Sequence, residues 1–187
     1  MVTIRPSFRG HGDGSVTVRL PSWLRSLLRG QFEEFAEVLD GEAPDEPRDP
    51  LEALTGLRAG PVRPPADPIL RRLRPDAYAS DVDGGQAAVD FRRFTELDLA
   101  ALQRQRVLSI RETLSEGDKF DLSPGQAQDW LGALNDLRLA IGTVLDVSEE
   151  PEPVPDSDEE ARAYEIYHLL GNLQHMLLVA LGAPPDL

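Results

Sequence analysis

The chain has no cysteine among its 187 residues. Disulfides, thiolate metal sites, cysteine nucleophiles and thiol redox sensing are therefore closed to it. Lysine is almost as scarce: Lys119 stands alone against eighteen arginines. Schiff-base chemistry thus has one candidate, at the polar end of an expected helix. Histidine is limited to His11, His168 and His175. Long apolar runs are missing too. The longest stretch without a charged residue, Ile166 to Pro185, is broken by His168, Asn172, Gln174 and His175. A spanning helix needs about 20 mostly apolar residues, so none is expected. Met1 to Pro6 lack the apolar core and cleavage site of a signal peptide. The expected location is the cytoplasm, with no membrane contact.

What remains is a folded, acidic chain. Hydrophobic residues make up 41% and charged residues 28%, a globular balance that fits a single domain over residues 1–187. The net charge of −14 is unevenly spread. Residues 1–30 hold five arginines and one aspartate, whereas residues 121–187 hold thirteen acids and two arginines. Most of this surface repels nucleic acid, because phosphate binding needs a basic face. A DNA contact would have to come from Arg5, Arg9 and Arg19, or from Arg71, Arg72 and Arg74.

Residues 3–9 and 15–20 alternate, with a glycine-rich turn between them, and read as a β-hairpin over about 3–20. Two strands alone are marginal in water, so their apolar face must rest on helices or on a second copy. From Leu24 the period becomes helical, through Leu27, Leu28, Gln31, Phe35, Val38 and Leu39, with Gly41 as the expected cap. Asp49-Pro50 and Asp67-Pro68 each pair an N-cap with proline at the first helical position. They should open short helices through Leu51, Leu54 and Leu57, and through Ile69, Leu70 and Leu73.

A long helix is expected over about 86–116, burying Phe91, Phe94, Leu99, Leu102, Val107, Ile110 and Leu114. Ser123-Pro124-Gly125-Gln126 is a capping box. It opens the clearest apolar stripe of the chain, from Ala127 and Trp130 to Val144 and Leu145. Residues 146–157 form an acidic, proline-rich loop. Ser157 to Glu160 is a second capping box, opening a last helix to about Gly182. The second half of that helix is apolar nearly all round, which suits either the centre of a bundle or a homodimer seam; the central position is expected. The fold class is mainly α: a helical bundle over about 21–183 with a small N-terminal β-hairpin.

Signs of catalysis are sparse. His168 and His175 are two helical turns apart, about 10 Å along the axis, too far to share one metal ion. They read as polar residues on one helix face. The carboxylates crowd loops and helix starts, where they cap helices and favour the dipole. Gly10-x-Gly12-x-Gly14 joins two strands and lacks the spacing of a dinucleotide fingerprint. No Walker motif, nucleophile elbow, zinc spacing or EF-hand loop is present. The expectation is no enzyme, no cofactor and no metal.

The segment around Trp130 stands out. Asn135, Arg138 and Gly142 lie at i, i+3 and i+7 within an apolar helix. One reading is structural: a buried Arg138 paired with a carboxylate, with Gly142 allowing close helix contact. The other is functional: Asn135, Asp136 and Arg138 form a polar notch that a partner recognises. Trp130 should anchor the core.

The run Leu134 to Leu145 resembles the signature of an actinobacterial family of AosR-type oxidative-stress regulators, formerly a domain of unknown function. Asp67 to Tyr78, Asp90 to Leu99 and Tyr167 to Gln174 are similar to that family in order and spacing. The resemblance covers almost the whole chain. It implies transcriptional regulation in the oxidative-stress response, with cysteine-supply genes among the targets and a sigma factor as partner. It also implies sensing through a cysteine pair, which this chain does not have.

Three activities follow as expectations. The first is an interaction module that binds a protein of the transcription machinery. The second is a DNA-binding regulator using Arg5, Arg9 and Arg19. The third is a hydrolase or metal enzyme around His168 and His175.

Overall fold

A computed structural model describes residues 5–41, 65–75, 84–148 and 153–184, with the backbone alone at 84–90, 92–94 and 97. The elements run β1 (Ser7–Gly10), β2 (Val16–Arg19), α1 (Ser22–Gly41), α2 (Pro68–Leu73), α3 (Gly84–Thr113), β3 (Lys119–Leu122), α4 (Pro124–Val144) and α5 (Asp158–Ala180). The protein is mainly α. The expected helix after Asp49-Pro50 lies outside the described residues, as does most of the loop before Asp67.

The hairpin closes through Gly14, whose φ of 83° suits a residue without Cβ. It is not a two-stranded unit. Lys119–Leu122 adds a third strand, giving an antiparallel sheet in the order β1-β2-β3. Phe120 and Leu122 turn inward beside Val16 and Val18, all of them buried. The sheet therefore finds its support in this strand and in the helices.

Helix α1 buries Leu24, Leu28, Phe32, Phe35 and Leu39. Leu27 and Val38 pack at the edge of that stripe. Gly41 is the last helical residue and does not take the left-handed conformation expected of a cap. Helix α2 starts as expected: the Asp67 carboxylate accepts from the backbone N–H of Ile69 and Leu70 at 2.7 and 3.2 Å.

The buried side of α3 runs through Ala100, Gln103, Val107, Ile110, Thr113 and Leu114. Phe91 and Leu102, expected inside, are 44% and 38% exposed. Val107, Ile110 and Leu114 are buried as expected; further up the helix a polar pair takes part of the interior. Arg74, buried at the end of α2, donates Nε to Gln103 Oε1 at 3.1 Å.

Helix α4 opens with the capping box in full: Ser123 and Gln126 each bond the other's backbone N–H. At α5 only half of the expected box forms. Ser157 accepts from Glu160 N, while the Glu160 carboxylate reaches back to Asp156 N. The central helix is α4, which packs against α2, α3 and α5 and touches β3. The expectation that the last helix is central fails. Helix α5 packs on α4 and β1, and Leu170, Leu173 and Leu177 form its buried stripe.

Candidate functional site around helix α4

Trp130 lies at the centre of the fold. It is fully buried, and its Nε1–H donates to Thr113 Oγ1 at 2.9 Å. That hydroxyl is fixed against the carbonyls of Ser109 and Ile110. The indole touches the sheet through Phe8, edge-on at 6.5 Å, and Phe120 at 5.7 Å between ring centroids. A buried indole with its one donor satisfied ties sheet to helices. It is a core residue with no face left for a partner.

Asp136 is 8% exposed and faces α3, where Arg106 Nη1 donates to its Oδ2 at 3.2 Å. Gly132, one turn earlier, leaves the space that the Arg106 guanidinium fills; a Cβ there would overlap it. Burial raises the Asp136 pKa above the ordinary carboxylate range, and the Arg106 charge opposes that rise. For an acid with a raised folded pKa, the native state keeps its proton where the unfolded chain has lost it. The contribution to stability therefore falls as pH rises through that window and returns on acidification. The wild type should gain stability relative to Asp136→Asn as pH drops from neutral towards the ordinary aspartate value of about 3.9. Urea melts of both proteins across that range measure the difference, wild type minus variant; a difference that stays constant or falls towards acid contradicts the assignment.

Arg138 faces the other way, towards α5. Two residues along a helix turn the side chain by about 200°, so Asp136 and Arg138 lie on opposite sides of α4. The carboxylate partner expected for Arg138 is replaced by an aromatic one. Its guanidinium sits 4.7 Å from the centroid of the Tyr167 ring, and Nη2 donates to Tyr167 Oη at 3.1 Å. A cation over an aromatic face is held by the ring quadrupole without a counter-charge. Gly142 makes the approach possible, as expected: a Cβ there would stand 3.2 Å from Tyr167 Cε2.

The sequence-selected residues thus part into separate settings. Asn135 is half-buried. His168 is exposed, its ring edge-on to Tyr167 at 5.5 Å between centroids. His175 is half-buried two turns further along α5. His11 is exposed in the hairpin, with Nε2 2.9 Å from Thr17 Oγ1. Among the described residues, no three side chains of His, Asp or Glu gather to hold a metal ion. No described helix is long and apolar enough to cross a membrane. Sequence reasoning missed Arg106 and Thr113 as the partners of Asp136 and Trp130, and the pairing of Tyr167 with Arg138. Each partner lies 17 to 30 positions away, beyond the reach of any local pattern.

The arrangement is that of a helical bundle closed by a small sheet, its conspicuous polar side chains committed to helix–helix contacts. The chain belongs to the family described as Domain of unknown function (DUF2017), which it matches over residues 5–181. A Mycobacterium leprae protein that carries the AosR name is 34% identical over 172 residues, covering 84% of this chain and 78% of the relative. The oxidative stress regulators AosR of Mycobacterium tuberculosis and Mycobacterium bovis are each 31% identical over 171 residues, with the same coverage. No solved structure matches the chain.

Proposed function

We propose that this chain is a non-enzymatic regulator of the oxidative-stress response that works by binding a protein of the transcription machinery. The observation that carries the reading is its similarity, over 84% of its length, to proteins named as oxidative stress regulators. Two physical features support it. Trp130, Asp136 and Arg138, the residues that stand out in the sequence, serve packing and internal pairing, so their prominence calls for no catalytic explanation. The net charge of −14 sets up a long-range field that attracts a basic protein partner. A sigma factor is the partner implied by the family resemblance. This chain offers no thiol of its own for oxidation, since it has no cysteine.

Deleting the gene and following transcripts after peroxide or diamide tests the proposal. Induction should be lost, and the plasmid-borne gene should restore it. Cross-linking in cells should recover an RNA polymerase subunit or a sigma factor. An unchanged transcript response, with only unrelated abundant proteins captured, would end this reading.

A further inference from the structure

The two faces of the sheet differ in kind. Phe8, Val16, Val18, Phe120 and Leu122 turn towards the core. On the open face, Ser7 and Arg9 of β1, Arg19 of β2, and Lys119 and Asp121 of β3 are exposed, and Thr17 is half-buried. The register sets Ser7, Arg19 and Lys119 in one cross-strand row and Arg9, Thr17 and Asp121 in the next. Arg5 and His11, both exposed, flank this face. The lone lysine of the chain is therefore directly opposite an arginine. Like charges so placed, roughly 5 Å apart at Cβ, destabilise a sheet. The one acid of the face, Asp121, accepts a hydrogen bond from Thr17 Oγ1 at 2.5 Å.

Elsewhere three arginines form ion pairs: Arg25 with Asp118, Arg104 with Asp40 and Arg106 with Asp136. Among the described residues, no carboxylate forms an ion pair with Arg5, Arg9, Arg19 or Lys119. In a chain of net charge −14, uncompensated positive charge gathered on one open sheet face runs against the composition.

We propose that this face is a docking surface for an acidic segment of a partner protein, gripped by Arg9, Arg19 and Lys119. The proposal rests on the reading of the chain as a partner-binding regulator and adds the chemistry of one contact. Size favours an acidic segment over nucleic acid. Three strands at about 4.8 Å spacing give a basic strip roughly 10 Å wide. A duplex carries one charge per about 1.7 Å of its axis and would run on over the acidic remainder of the surface. Spacing agrees as well. Alternate side chains of an extended segment repeat at about 6.7 Å, the same interval as the rows of this sheet.

Fluorescence anisotropy with a short labelled oligoglutamate and a DNA duplex of equal charge, at low salt, tests it. The wild-type chain should bind the peptide. The triple variant Arg9→Gln, Arg19→Gln, Lys119→Gln should bind it about tenfold more weakly, three solvated ion pairs being lost. Its circular dichroism should be unchanged and its melting temperature should not fall, as the side chains are exposed and the repulsion between Arg19 and Lys119 is removed. Arg72→Gln, Arg111→Gln, Arg162→Gln changes net charge equally at exposed sites elsewhere and should leave binding intact. No peptide binding by the wild type, equal loss in both triple variants, or tighter binding of the duplex would overturn the proposal. The gene deletion separates the two readings. If the sheet variant restores oxidant-induced transcription in full, the docking face is refuted and the regulator stands. If deletion leaves transcription unaltered, the regulator falls whatever the peptide does.

Discussion

Trp130→Ala is expected to lower the melting temperature by roughly 10 °C. Truncating a buried tryptophan costs about 3–5 kcal/mol, and in a chain of this length each kcal/mol moves the midpoint by about 2–4 °C. The loss has three parts here. The indole is wholly enclosed, so its removal leaves a cavity. Thr113 Oγ1 loses the donor that approaches at 2.9 Å in a buried setting. Phe8 and Phe120 lose the ring that joins the sheet to α4. Damage should therefore appear first in the sheet, as faster amide exchange across β1 and β3. Trp130→Phe keeps most of the aromatic packing and should recover more than half of the lost stability. Fluorescence offers an independent check, since the remaining tryptophan, Trp23, is 58% exposed and should emit to the red of the wild type. A Trp130→Ala protein that melts with the wild type would mean that this ring is not what couples sheet and helices.

The parts of this fold that sequence disclosed are those governed by local chemistry. Asp67-Pro68 and Ser123 to Gln126 announce helix starts because the cap and the first turn are neighbours in the chain. The stripe of α4 is legible because α4 packs against other helices from Ala127 to Ala140, although Asp136 shares its buried side and Val144, expected in the stripe, is 71% exposed. What stayed hidden depends on contacts between distant segments. Lys-Phe-Asp-Leu at 119–122 alternates, but four residues between a helix end and a capping box carry little signal. Its partner strand lies about a hundred positions earlier. The apolar pattern of α3 places Val107, Ile110 and Leu114 correctly but fails at Phe91 and Leu102, and Gln103 is taken inside by the buried Arg74.

The candidate site shows the same division. The sequence predicts a buried Arg138 with a carboxylate partner, whereas the residue is half-buried and has none among the described residues. Asp136 is only two positions from Arg138, but helical geometry sends it to the other side of α4 and into the hands of Arg106. Tyr167 supplies a face and a hydroxyl instead. No residue spacing signals an aromatic partner on another helix. The basic sheet face was half visible: Arg9 and Arg19 alternate in the hairpin, but Lys119 joins them only through the third strand.

Gly10→Val is the other substitution from which a large effect is expected, and its cause lies in the backbone. Gly10 ends β1 where the C-terminus of α5 comes down on the sheet, and a Cβ at this position would overlap the Ala180 carbonyl. A backbone carbonyl cannot rotate away as a side chain can, so the last turn of α5 or the strand itself must move. Overpacking of this kind costs about 1–3 kcal/mol, and valine, with its branched Cβ, should reach the upper end. The midpoint should fall by roughly 5–10 °C at about 2–4 °C per kcal/mol. The amides of Leu181, Gly182 and Ala183, bonded to carbonyls of Leu177, Leu178 and Val179, should exchange faster. Gly12→Ala is the control within the same hairpin, with no atom within 4 Å of the added methyl, and should change the midpoint little. If the two variants melted alike, the close approach of α5 to β1 would not be what limits the residue at position 10.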